Sequence, residues 1–209
     1  MQFSQGASVI TLDGKEAGHI DRVVIDPKTN EITHLVVQHG LLQRQNKVVP
    51  ISVITSGDDG QLRMHVRSDD LELLPDYKEE QYILAEKARE DQTPSAVFLY
   101  PPYPGGVLGI ANYSPTDVTK THLNIPVGTV ALKEGAKVIT RDKKEVGHVA
   151  QVLMSTPTDQ VTHFVIVKGF LVKESRLIPV GWVDRLADNE VHLAIDSDTV
   201  ERLPVVEPV

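Results

Sequence analysis

The chain contains no cysteine, which removes disulfides, cysteine nucleophiles, zinc–thiolate sites and cysteine-held iron–sulfur clusters together. Aromatic residues make up only 5% of it, with a single tryptophan, Trp182, so stacking platforms for nucleic-acid bases are scarce. Positive charge is in deficit: 21 Lys and Arg face 29 Asp and Glu, for a net −8 at pH 7. A field of that sign disfavours nucleic acid and anionic membranes, because both need a basic face. No apolar run nears the ~18 residues that a membrane-spanning helix requires. The opening MQFSQGASVITLDGKE lacks the basic-then-apolar layout of a secretion signal. These absences predict a soluble, cytoplasmic protein with no transmembrane segment.

What is present is enough apolar content, 41% against 24% charged, for folded domains. The 209 residues suit one large domain or two small ones, and an internal repeat decides for two. Gly6 to Pro75 aligns without gaps on Gly135 to Pro204, with about a third of positions identical. GASVITLDGKEAGHI faces GAKVITRDKKEVGHV, and EITHLVVQHGLL faces QVTHFVIVKGFL. Register that survives several loops marks a duplication.

Each copy reads as β structure. Val9, Ile10 and Thr11 make a short strand ended by the turn pair Asp13-Gly14. A run from Ala17 to Ile25 ends in Asp26-Pro27-Lys28-Thr29-Asn30, and a third from Ile32 to His39 is rich in β-branched residues. Leu62, Met64 and Val66 alternate in a last strand, and Ser68 to Glu72 is expected to cap one helical turn. No segment of the copy sustains a 3.6-residue apolar period. The predicted fold is all-β: two tandem small barrels, at 1–76 and 132–209, joined by a Pro-rich linker at 77–131 with at most a short helix. Each barrel is near the lower size limit for a stable core, so the two are expected to pack on each other.

The motifs VITLDGKEAG, DPKTNEITHLVV and VPISVI, with VITRDKKEVG, STPTDQVTHFVI and IPVGWV in the second copy, resemble the PRC-barrel family. That domain occurs in the photosynthetic reaction-centre H subunit and in a ribosome-maturation factor. The resemblance implies a module for protein contacts and assembly, with no catalytic residue to carry over. The second copy departs from the pattern where Lys143 replaces the turn glycine, which predicts a longer turn or one of another type.

In the linker, Tyr77 to Glu90 holds helix-forming residues with a ragged apolar face, and a short helix is one reading. Pro94, Pro101, Pro102 and Pro104, interleaved with Tyr100 and Tyr103, favour an extended conformation. The stretch reads as a strap or spacer, or else as a proline–aromatic ligand strip. Val107 to Ile110 is a candidate edge strand, and Ile125 to Val130 is expected to lead into the second barrel.

Among candidate chemical groups, His19 with His148 and His34 with His163 occupy equivalent positions. No HExxH-type spacing accompanies them, so hydrogen-bonded structural histidines are favoured over metal ligands. Lys143, Lys144, Lys168, Lys173 and Arg176 make the second copy locally basic, diluted by Glu145 and Glu174. Asp58-Asp59 and Asp69-Asp70 lack EF-hand spacing, and Gly105 to Gly109 is no phosphate loop because no Lys-Ser or Lys-Thr follows. The sequence therefore predicts no catalytic, cofactor or metal site. Trp182, Tyr100 and Tyr103 are the candidate contacts to a partner, with Trp182 as readily a core residue. The expected function is a non-catalytic scaffold or adaptor that holds an unidentified protein or self-associates. The alternatives are an RNA- or ribosome-assembly factor and a peripheral accessory of a membrane or photosynthetic complex.

Overall fold

A computed structural model describes residues 2–4, 6–40, 45–56, 61–83, 118–133, 135–169 and 173–206, with the side chains of 2, 4, 79–83 and 118–121 outside that description. The first repeat supplies β1 (Gln2–Ser4), β2 (Ser8–Ile10), β3 (Glu16–Ile25), β4 (Ile32–His39), β5 (Gln45–Pro50), β6 (Ile54–Ser56) and β7 (Leu62–Met64). A hairpin of β8 (Lys78–Ile83) and β9 (Val118–Leu123) follows. The second repeat supplies β10 (Val130–Lys133), β11 (Lys137–Ile139), β12 (Glu145–Ser155), β13 (Gln160–Lys168), β14 (Glu174–Pro179), β15 (Val183–Ala187) and β16 (Glu190–Leu193), then the short helix α1 (Ser197–Glu201). Both repeats are mostly β and form strongly bent, barrel-like sheets, as their patterning predicts.

The bending is coded identically twice. Bulges interrupt β3 between Ile20 and Arg22 and between Val24 and Ile25. They recur in β12 between Val149 and Gln151 and between Leu153 and Met154. An extra residue on one strand sharpens twist and curls the sheet. Alternation then sends Val9, Leu62 and Met64 inward, all at most 2% exposed.

The chain divides into two compact units, Met1–Tyr77 with Asn124–Val209 as one and Lys78–Leu123 as the other. In the first unit the repeats exchange strands. β1 pairs with β12, Phe3 opposite Val152, and β10 pairs with β3, Leu132 opposite Val23. The two registers are equivalent position by position. Each crossing strand is released by a glycine at positive φ, Gly6 at 66° and Gly135 at 72°, where a side chain would be strained. Residues 130–133 thus complete the first barrel, where the sequence led them into the second. Phe3 and Leu132, both 2% exposed, join one apolar cluster with Val23, Val152, Ile20 and Val149. Burying each of the two larger side chains stabilises the core by about 1.5–3 kcal/mol.

The exchange is centred on an antiparallel bridge between the equivalent residues Glu31 and Gln160. Ile32 N–H donates to the Asp159 carbonyl and Val161 N–H to the Asn30 carbonyl, both at 2.8 Å. The anticipated packing of the copies is therefore hydrogen-bonded, with a pseudo-two-fold axis through that bridge.

The linker differs from its sequence reading where it is described. Residues 78–83 form β8, not a helix, because Val118, Thr119 and Thr121 in β9 provide a β-favouring partner strand. Tyr77 is 1% exposed in the core, and the Arg22 guanidinium lies 5.3 Å from its ring centre. The candidate edge strand at Val107 to Ile110, the acidic pair Asp58-Asp59, and Tyr100 and Tyr103 lie outside the described residues.

Candidate functional site

The most developed polar constellation occurs twice. In the first repeat the β2–β3 turn closes through Gly14 N–H to the Thr11 carbonyl at 2.9 Å, with Gly14 at φ 79°. Lys143 closes the second turn by the same bond at 2.8 Å, at φ 62°. The departure at Lys143 therefore leaves the turn type unchanged, and the lysine carries the strain of a left-handed backbone.

Both turns are pinned to a distant helical turn. The Asp13 carboxylate accepts the Ser68 backbone N–H at 2.9 Å and the Ser68 hydroxyl at 2.8 Å. Ser68 opens the 3-10 turn Ser68–Leu73, the helical turn expected there. Asp142 does the same to Ser197 at the start of α1, at 3.0 and 2.8 Å. The cap thus comes from a residue 55 positions upstream and supplies the acceptor that a free helix N-terminus needs.

Aspartate, serine and lysine in contact suggest nucleophilic chemistry, since Lys15 Nζ donates to Ser68 Oγ at 2.9 Å and Lys144 Nζ to Ser197 Oγ at 3.0 Å. A serine nucleophile needs an adjacent unprotonated base basic enough to take its proton. Here the Ser68 backbone N–H, then its hydroxyl, hold the Asp13 carboxyl well below the usual carboxylate range. For Asp142 the Thr140 hydroxyl, at 2.6 Å, leads the same effect. Asp142 in turn raises the Lys144 ammonium above its ordinary value. Each serine hydroxyl accepts from its lysine and donates to its aspartate, so each trio ties the β-turn to the helical turn as a clasp.

The histidines separate into pairs with different surroundings. His19 and His148 lie on the surface, each 3.6 Å from a glutamate three residues earlier, Glu16 and Glu145. His34 sits on β4 opposite Val24. Among the described residues its buried Nδ1 finds no hydrogen-bond partner, whereas the sequence predicted a bonded one, and desolvation lowers its pKa. Among the described residues no three His, Asp or Glu side chains gather as a metal site would require.

The basic residues of the second repeat are largely matched by carboxylates. Lys144 lies 3.1 Å from Asp142, Lys168 3.3 Å from Glu201 and Arg176 2.8 Å from Glu174. Phosphate binding there would have to break ion pairs. Trp182 is half-buried and packs against the apolar cluster. At the pseudo-two-fold axis Asp21, Arg22, Lys133 and Gln151 border a cavity of about 20 Å³, room for a single water molecule.

The model of the PRC-barrel domain matches residues 5–72 and again residues 134–200, together more than half of the chain. This chain belongs to the PRC-barrel family. No curated protein matches it. The matched segments of this tandem PRC-barrel chain begin after β1 and β10, so the family pattern covers both clasps and leaves out the exchanged strands. The motif glycines Gly18 and Gly147 also have a physical reason. A Cβ on Gly18 would lie 2.0 Å from the Gln38 carbonyl oxygen, and one on Gly147 2.6 Å from that of Val167. No helix among the described residues is long and apolar enough to cross a membrane.

Proposed function

We propose that the tandem PRC-barrel chain is a non-catalytic scaffold whose two equivalent barrels present different surfaces to a protein partner. One observation carries this reading: the repeats share an interior and diverge outside at matched positions. Leu12 in the first clasp turn and Leu73 at the end of its 3-10 turn are 62% and 80% exposed. Their counterparts in the second repeat are Arg141, paired with Asp196 at 2.6 Å, and the exposed Arg202. Exposed leucines stabilise no core and lose water contact favourably on docking. The first barrel is thus the proposed protein-binding repeat, and the more polar second barrel the supporting one. Tyr100 and Tyr103 are proposed as further contacts, and Trp182 as a residue that props the second barrel.

The test is capture of proteins from native lysate by the full chain, beside the double variant Leu12→Arg, Leu73→Arg, which copies the second repeat. The reading expects a stoichiometric protein on the wild type and its loss on the variant, with unchanged thermal stability. Equal capture by both refutes the surface assignment. Capture of RNA alone favours the ribosome-assembly alternative, and co-sedimentation with native membranes favours the membrane-accessory alternative.

A further inference from the structure

Among the described residues, contacts from both sides of 84–117 join the repeats. They are the β1–β12 and β10–β3 ladders, the Glu31–Gln160 bridge with its two flanking hydrogen bonds, and the apolar cluster that Phe3 and Leu132 complete. Gln160 Nε2 adds a bond to the Thr29 carbonyl at 3.3 Å, and Arg22 a bond to the Ala131 carbonyl at 3.2 Å. The arrangement is isologous: each repeat donates the same strand and accepts its partner's, as the two subunits of a two-fold dimer do.

The chain leaves and re-enters this core at neighbouring points. Asn124 N–H donates to the Tyr77 carbonyl at 3.1 Å, and Asn124 Nδ2 to the Asp76 carbonyl at 2.7 Å. The next residues, Lys78 and Leu123, are already paired across the β8–β9 ladder. The ends of the excursion are therefore held by the core and by their own hairpin, independently of covalent continuity farther out.

We infer that the two repeats recognise each other non-covalently and heterotypically, so that a chain cut within 84–117 remains one complex of its two halves. The preference for unlike halves comes from the axis. Lys133 of the second repeat stands opposite Arg22 of the first, and Asp21 lies 3.2 Å from Arg22 Nε. The residues equivalent to Asp21 and Arg22 are Ala150 and Gln151. A pair of second repeats would bring two Lys133 side chains to the central cavity with no Asp21 to face either. A pair of first repeats would bury two Asp21–Arg22 pairs where the native core buries one, each with its own desolvation cost.

The experiment places a specific protease site at residues 95–98 of the full chain, cuts it, and examines the product by native mass spectrometry and size exclusion at about 1 µM, a concentration that demands a free energy near −8 kcal/mol. The expected result is one species holding one N-terminal and one C-terminal fragment, eluting with the uncut chain. Separated fragments, or fragments re-sorted into like pairs, overturn the inference. A second arm removes residues 1–4 from the cut chain, which deletes one exchanged strand and leaves the rest of its barrel sequence intact. Dissociation should then begin at a concentration about tenfold higher or more. An unchanged value overturns strand exchange as the source of recognition.

Discussion

Gly18 and Gly14 stand four residues apart on the two sides of one turn, both at positive φ, 139° and 79°, and they separate two costs of adding a single methyl group. At Gly14 a Cβ would meet nothing within 4 Å, so Gly14→Ala carries only the conformational penalty of the left-handed region, about 1 kcal/mol. At Gly18 the same Cβ would lie 2.0 Å from the Gln38 carbonyl oxygen and 2.9 Å from its carbon. These are backbone atoms of β4, the strand paired with β3, and they cannot swing aside as a side-chain tip would. Relief requires β3 and β4 to part, which adds an overpacking cost of about 1–3 kcal/mol and weakens ladder hydrogen bonds worth about 1 kcal/mol each. Gly18→Ala should therefore destabilise by about 3 kcal/mol or more. For a chain of this size the melting temperature falls by about 2–4 °C per kcal/mol, which gives a drop of about 2–4 °C for Gly14→Ala and at least about 6 °C for Gly18→Ala. Urea titration and thermal melting of the full chain both read the difference. Equal losses for the two variants would refute the claim that close approach of β4, and not φ alone, demands the motif glycine.

Four further outcomes follow from the same contacts. Lys143→Gly relieves a left-handed lysine and should stabilise by about 0.5–1 kcal/mol, read as a higher urea midpoint at constant slope. Phe3→Ala, although in the first repeat, empties a site against β12 and should cost about 3–4 kcal/mol, with amide-exchange protection lost at residues 151–153. The depressed carboxyls of Asp13 and Asp142 contribute stability that is complete above the unfolded carboxyl pKa near 4 and is lost as pH falls towards their lower folded values. The double variant Asp13→Asn, Asp142→Asn should flatten the fall in melting temperature below pH 4. His34 titrates lower in the folded chain than its ordinary 6.5, so its contribution is present above pH 6.5 and lost below it. His34→Asn should remove any slope in melting temperature between pH 6.5 and 5, and a slope equal to wild type assigns it to another group.

The barrel strands were legible because alternation and turn chemistry agree locally. Val9, Leu62 and Met64 alternate with polar neighbours, and Asp13-Gly14 and Asp26 to Asn30 mark the reversals. The exchanged strands were not. Gln2–Ser4 and Val130–Lys133 share no residue at equivalent positions, and which sheet a three-residue strand joins is decided by tertiary contacts. Their one trace in the repeat is the pair Gly6 and Gly135 at its first aligned position. β8 was masked by helix-forming Lys, Glu and Gln, whose preference yields to the partner strand. The clasp was half visible: Asp13 with Asp142 and Ser68 with Ser197 are identities at polar positions. Spacing alone did not show that residues 55 apart meet. The fold accommodates Lys143 because the clasp at Asp142 fixes the turn from outside, which a propensity argument about turn pairs does not include.

The central claim is that the two PRC barrels are a single strand-exchanged unit, and differential scanning calorimetry of the full chain tests it most directly. One core shared through β1, β10 and the Glu31–Gln160 bridge predicts one transition for the barrels, with calorimetric and van 't Hoff enthalpies in a ratio of about 1. Two resolved barrel transitions, with Phe3→Ala shifting only one of them, would contradict it.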